Sequence, residues 1–251
     1  AFALGLLLSQ DGNWSELTEM SWFFLVPIEG FLFISIFNVM ALTVQHHGLS
    51  IGSIASRTAF IIPAALFMVL QPEIGFSILK VIAVLTAFVA VALCVGKTNG
   101  EIDKRYIYLP ILLFIGSGLV DFVIGYAQTF LLSGPEESRM FIPSIFFTAA
   151  IIGTTLALFR YFKHPDQGIR WTEFIAGMIL GLINYASLYF ILRAMDTKLL
   201  TPSIFFPVYN LGIVIAGVLL GAFVFAEDLS TRKRYGIALG LMAVALMIFA
   251  P

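Results

Sequence analysis

From Ile204 to Ala226 the chain carries no charged residue, and as a helix that run reaches across a hydrocarbon core of ~30 Å. No other feature constrains the fold as much. Lipid offers the backbone no hydrogen-bond partner, so only helices and closed barrels can span it. The run is one of eight apolar segments, at about residues 21–45, 51–71, 76–96, 106–132, 141–161, 172–194, 202–226 and 234–250. Each is about twice as long as a barrel strand needs to be. The expected fold is an all-α polytopic membrane protein, a helical bundle with eight full transmembrane helices. Residues 1–8 are apolar but too short to span, and read as the N-terminal fragment of one more helix.

Composition agrees with a bilayer protein. Of 251 residues 60% are hydrophobic and 12% charged, against roughly 25% charged in soluble domains. A net charge of −1 without a basic run argues against a nucleic-acid partner. Cys94, the one cysteine, lies in an apolar segment and supplies no disulfide, metal or redox chemistry. His46-His47 reads as a solvated loop pair. No phosphate-cradling glycine loop, cysteine cluster or nucleophile elbow occurs, so neither an enzyme nor a cofactor or metal is expected. Trp22, Tyr106, Tyr108 and Trp171 stand at segment ends, where amphipathic rings favour the headgroup layer. Successive loops alternate sides. Most Lys and Arg fall on the side holding residues 97–105, 160–170 and 232–234, which the positive-inside rule assigns to the cytoplasm.

The chain also repeats itself. Phe37-Asn-Val-Met-Ala-Leu42 resembles Ile183-Asn-Tyr-Ala-Ser-Leu188. Glu73-Ile-Gly-Phe-Ser77, ahead of an Ala/Val-rich segment, resembles Glu227-Asp-Leu-Ser230 ahead of residues 236–250. Ser53-Ile54 matches Ser203-Ile204 between them, in a looser register. The copies begin five segments apart, an odd number, so they cross the membrane in opposite directions. Inverted repeats are a transporter architecture, with the site near the midplane between the halves.

On Asn38-Val-Met-Ala-Leu-Thr-Val-Gln45, on Ser50-Ile-Gly-Ser-Ile-Ala-Ser-Arg57 through Pro63, and on Phe206-Pro-Val-Tyr-Asn210 through Ser230 and Gly236, the chain resembles the drug/metabolite transporter superfamily. The branch is the EamA type, with ten helices in two five-helix repeats. The resemblance covers nearly the whole chain through loose patterns that recur in order. It implies that residues 1–97 form a first repeat lacking its first helix and most of its second, and that 98–251 form the second, inverted repeat. It also implies a multi-pass carrier in the bacterial inner (plasma) membrane, with both termini cytoplasmic. That placement and the charge count point in opposite directions. Glu29 departs from the pattern, which has a small or apolar residue there.

Three formal charges lie inside apolar segments, namely Glu29, Arg57 and Asp121. At ~2.5–3.5 kcal/mol for Arg or Asp at a helix centre, such residues face the interior in functional or paired roles. Arg57 shares a helical face with Ser53, Ser56 and Phe60. Its donor fork suits a carboxylate or phosphate of a substrate; alternatively it pairs with Asp121 or Glu29 as a structural lock. Asp121 heads a polar stripe with Ser117, Gly125 and Gln128, and it or Glu29 could carry a coupling proton. Glu29 could equally lie near the interface and be wetted. Asn38 and Asn184 occupy matching repeat positions, Tyr185 and Tyr189 are one turn apart, and Pro207, Tyr209 and Asn210 cluster in the second repeat. Each can line a substrate path or serve only packing. Gly177-xxx-Gly181, Gly217-xxx-Gly221 and Gly236-xxx-Gly240, with Ala83-xxx-Ala87, permit close helix approach within the bundle or in a homodimer.

The leading expectation is a secondary transporter for a small polar metabolite, anionic or amino-acid-like, working by alternating access. Pro27-Ile-Glu-Gly-Phe-Leu-Phe33 faintly resembles the Pro-x-Glu-Glu-Phe-Leu-Phe stretch of integral-membrane lycopene cyclases, but Gly30 replaces the second carboxylate. An intramembrane enzyme and a non-transporting sensor are the alternatives.

Overall fold

A computed structural model describes residues 14–71, 77–94, 104–163, 171–224 and 230–249. The described helices are α1 (Leu25–His47), α2 (Leu49–Thr58), α3 (Ile61–Leu70), α4 (Ile78–Cys94), α5 (Tyr108–Tyr126), α6 (Pro135–Lys163), α7 (Trp171–Asp196), α8 (Pro202–Val224) and α9 (Thr231–Phe249). Helix α5 runs on into a π-turn at Ala127–Leu131, and short 3₁₀ turns occupy Trp14–Glu19 and Lys104–Tyr106. No strand occurs among the described residues. Among the described residues, six helical stretches are long and apolar enough to cross a membrane: Leu25–His47, Ile51–Leu70, Tyr108–Leu131, Glu136–Phe159, Phe174–Asp196 and Pro202–Leu220, with Ile78–Cys94 a shorter apolar helix. The chain is an all-helical, multi-pass membrane protein. Residues 1–8, the repeat boundary at 97–98, and most of the Glu73–Ser77 and Glu227–Ser230 match lie outside the described residues.

The expected segment 51–71 divides in two, and Pro63 is the reason. Without an N–H it cannot donate to the Ala59 carbonyl four residues back. The Ile62 amide takes that carbonyl instead at 3.0 Å, three residues on, and Ala64 resumes the regular pattern on Phe60 at 3.1 Å. Ala59 and Phe60 themselves keep right-handed helical dihedrals. Helix α5 fits against this break through Gly118, where an added Cβ would meet the Ala59 carbonyl oxygen at 2.9 Å and the Ile62 Cβ at 2.7 Å. A glycine is needed there because the neighbour is backbone and cannot yield.

Two compact units are present, one from Ala1–Ser35 and Val123–Leu199, the other from Ile36–Phe122 and Leu200–Pro251. In the second, α4 packs on α9 and α3 on α8. Ala83, Ala87 and Ala90 are fully buried on α4, and a Cβ at Gly236 of α9 would meet the Cys94 Sγ at 2.7 Å and the Ala90 carbonyl at 3.0 Å. The Arg232 guanidinium donates to the Ala92 carbonyl at 2.7 Å, placing a cation at the negative end of α4. Phe67 of α3 stacks with Phe206 of α8 (6.3 Å) and meets Phe122 of α5 (5.4 Å). These rings and small-residue contacts hold the second unit together.

In the first unit α1 lies along α6. Trp22, just ahead of α1, stands edge-on to Phe141 at 5.4 Å. Further along, Gly30 faces Thr148, Phe33 meets Phe146 at 5.7 Å, and Ile34 faces Gly153. Helix α7 packs on α6, with Tyr185 5.8 Å from Phe146. The expected small-residue ridge at Gly236 and Gly240 is a packing surface within the chain. Gly177, Gly181 and Gly217 instead have nothing within 4 Å of an added Cβ.

Candidate functional site

The second unit brings two of the expected polar residues, Asp121 and Asn210, into contact. Asn210 of α8 is nearly buried, at 3% exposure. Its Nδ2 donates to the Phe206 carbonyl of its own helix at 3.1 Å and to Asp121 Oδ2 of α5 at 3.3 Å. Both amide hydrogens are therefore used. Arg57, half-buried in the last turn of α2, is near enough for its charge to act on Asp121. Among the described residues no hydrogen bond or ion pair of 4.0 Å or less closes the two. Glu29 belongs to the first unit. The Arg57 guanidinium, without a hydrogen-bond partner among the described residues, has a donor fork that can take up the oxygens of a carboxylate or phosphate.

The neighbours of these residues are mostly aromatic or turned inward. Ser53 is half-buried one turn before Arg57, and the Ser56 hydroxyl donates to the Ser53 carbonyl at 3.4 Å. Thr58 likewise donates to Ile54 at 2.7 Å. The hydroxyls of Ser56 and Thr58 thus serve their own helix. Pro207 is buried, and Tyr209 stacks on Phe205 with centroids 6.0 Å apart and planes at 4°. Asn38 is on the exposed face of α1. At the end of α1, the structure corrects the solvated reading for His47, whereas His46 is exposed. His47 is 5% exposed, and its Nε2 lies 3.0 Å from the Tyr106 carbonyl. A carbonyl only accepts, so Nε2 carries the hydrogen. His46 stacks on the Tyr106 ring at 3.8 Å.

The remaining expected residues lie in the first unit. Asp121 is assigned to the second unit and Gln128 to the first, and each has its own partners. The π-turn, closed by Leu132 N–H to Ala127 C=O at 2.9 Å, changes the helical phase just where Gln128 sits. The Gln128 Nε2 donates to Asp196 Oδ1, and its Oε1 accepts from Ser138 Oγ at 3.4 Å. Asn184 donates to the Leu180 carbonyl of its own helix at 3.0 Å. The Tyr189 hydroxyl accepts from Arg193 Nε at 3.3 Å, and the guanidinium carbon is 5.7 Å from its ring centroid. Glu29 is fully buried, not wetted at an interface.

Asp196, Ser138 and Arg193 were not among the expected residues. Asp196 and Ser138 looked like loop residues, because each adjoins a polar stretch at a helix end, and only packing joins them through Gln128. Among the described residues no group of three or more His, Cys, Asp or Glu could hold a metal ion.

No family model matches the chain. It is similar to an uncharacterized protein of Haemophilus influenzae, 24% identical over 226 residues, which cover 88% of this chain and 73% of that protein.

Proposed function

We propose that this chain is a secondary transporter of the drug/metabolite transporter superfamily, EamA type. In this reading it moves a small polar metabolite, anionic or amino-acid-like, across the bacterial inner membrane by alternating access. The observation that carries this reading is the arrangement of Arg57, Asp121 and Asn210. Two opposite charges stand inside spans without closing on each other, and a buried amide donates to the acid. A protein that needed these residues only for stability would gain more from closing the pair, since an uncompensated charge in a span is costly. The break at Ala59–Phe60 and the helix-borne Pro207 set non-uniform backbone beside them, as transporter sites use.

The inverted duplication draws support from packing. Helices α3 and α8, and α4 and α9, are counterparts under the sequence repeat, and each pair is in contact. Asp121 and Glu29 are the acids through which a proton would couple to the cargo. A second copy seated on the open Gly177 and Gly181 face would give a homodimer.

Flux in proteoliposomes decides the matter. The purified chain should carry at least one radiolabelled anion or amino acid from a broad panel, and Arg57→Gln should remove that flux. Absence of flux for the whole panel from correctly folded protein would refute transport.

A further inference from the structure

One oxygen of Asp196, the residue that ends α7, has no partner. Oδ1 accepts from Gln128 Nε2, whereas Oδ2 is buried and makes no hydrogen bond among the described residues. Buried polar atoms in folded proteins almost always have a partner, and leaving one without is costliest when the group is ionised.

What adjoins that carboxylate is a set of further acceptors. Helix α7 packs on the π-turn Ala127–Leu131. The Leu132 amide reaches back to the Ala127 carbonyl at 2.9 Å. Among the described residues no donor follows it onto the carbonyls of Gln128, Thr129 or Phe130. These are the bare carbonyls of a helix end, and they carry the negative pole of α5. Gln128 contributes one of them from its backbone while its side chain holds Asp196. The carboxylate and the helix end are therefore linked through a single residue.

The holder is itself held. Gln128 Oε1 accepts from Ser138 Oγ at 3.4 Å, and that hydroxyl also stands 3.3 Å from the Gly134 carbonyl. Side-chain cations do not neutralise Asp196 by contact. Arg193, one turn earlier on α7, acts on it through charge but is exposed and gives its Nε to the Tyr189 hydroxyl. Lys198 is exposed beyond the helix end. Among the described residues neither closes an ion pair with Asp196. Glu137 of α6 is engaged with the Ser133 amide at 3.0 Å.

We propose that Asp196 Oδ2 and the bare carbonyls at the end of the π-turn hold a monovalent metal cation. Oxygen ligands suit a hard cation, and helix C-terminal ends at interrupted helices coordinate Na+ in membrane carriers. One carboxylate among the ligands matches one positive charge. A divalent ion would leave the site charged at the end of apolar helices, which is costly. Gln128, steadied by Ser138, is a positioning residue: it keeps Oδ1 occupied and leaves Oδ2 to the ion. The site goes beyond the transport reading, because its occupation is read without cargo.

Thermal unfolding of the full chain in lipid nanodiscs, in NaCl against choline chloride at equal ionic strength, tests the site. The midpoint should rise saturably with Na+ by a few degrees, as mass action requires of an ion bound only by the folded state. The wild-type protein should also broaden the sodium NMR line beyond the effect of empty nanodiscs. Asp196→Asn removes the charge but keeps an oxygen for Gln128, and should weaken the Na+ effect about tenfold or more. In choline this variant should melt at or above wild type, because its Nδ2 can donate to carbonyls where Oδ2 only accepts. Gln128→Ala should weaken the Na+ effect by a smaller factor. Equal wild-type midpoints in Na+ and choline, with no line broadening, would overturn the proposal and leave an ordered water at Oδ2. An undiminished Na+ effect in Asp196→Asn would overturn it as well. A Na+ effect lost in Asp196→Asn, in a protein with no flux, would leave the site standing and refute transport instead.

Discussion

The Asn210 amide reaches Asp121 across 3.3 Å and so ties α8 to α5 in the middle of the second unit. Replacing Asn210 by Ala would leave a carboxylate oxygen without its donor and the Phe206 carbonyl without its extra bond. The expected loss is about 1–3 kcal/mol. It should appear as a lower unfolding midpoint in detergent, and Asn210→Gln, longer by one methylene, should recover only part of it.

Arg57 acts through its fork rather than through charge alone. If a substrate anion sits on it, Arg57→Gln should weaken uptake about ten- to a hundred-fold, the range of one or two charge-assisted hydrogen bonds. Arg57→Lys should retain charge but not bidentate geometry, raising KM more than it lowers the maximal rate. Initial-rate flux at varied substrate concentration separates the two. Equal, undiminished rates in both variants would remove Arg57 from the site.

Two glycines should respond oppositely to the same change. Gly118→Ala pushes a methyl against the Ala59 carbonyl and Ile62, at an expected cost of about 1–3 kcal/mol. Gly177→Ala enters open space on a helix, where alanine is favoured, and should be neutral or up to about 1 kcal/mol stabilising. Paired thermal melts of the two variants check the contrast.

The His47 to Tyr106 contact should be replaceable by another donor. His47→Gln can still offer an N–H to the carbonyl, whereas His47→Leu cannot. The difference between them is expected at about 0.5–1.5 kcal/mol, the net worth of one such hydrogen bond. Parallel melts of the two variants measure it.

The helices were legible because uncharged runs of spanning length leave lipid-exposed backbone no other solution. Their interruptions were not. Pro63, Pro143 and Pro207 look alike in a list of residues, yet α6 and α8 run through theirs while the helix breaks just before Pro63. What distinguishes Pro63 is the Ile62 amide closing on Ala59, a bond no spacing rule announces. Within the candidate site, Asp121 and Asn210 were each visible as polar residues in apolar runs, but their contact joins residues far apart in sequence. Gln128 was visible in the same way, but its partner Asp196 lies far along the chain. Asp196 and His47 sit at helix ends, where a charged or polar residue ordinarily meets water and draws no notice.

Ala59 and Phe60 keep dihedrals that any helix would accept while the hydrogen-bond register changes around them. A joint built this way can flex without forcing a single peptide out of its comfortable region. The half-span bearing Arg57 can therefore tilt against the half-span bearing Phe67 as a knuckle does, with its stiffness set by the atoms that Gly118 presses against it.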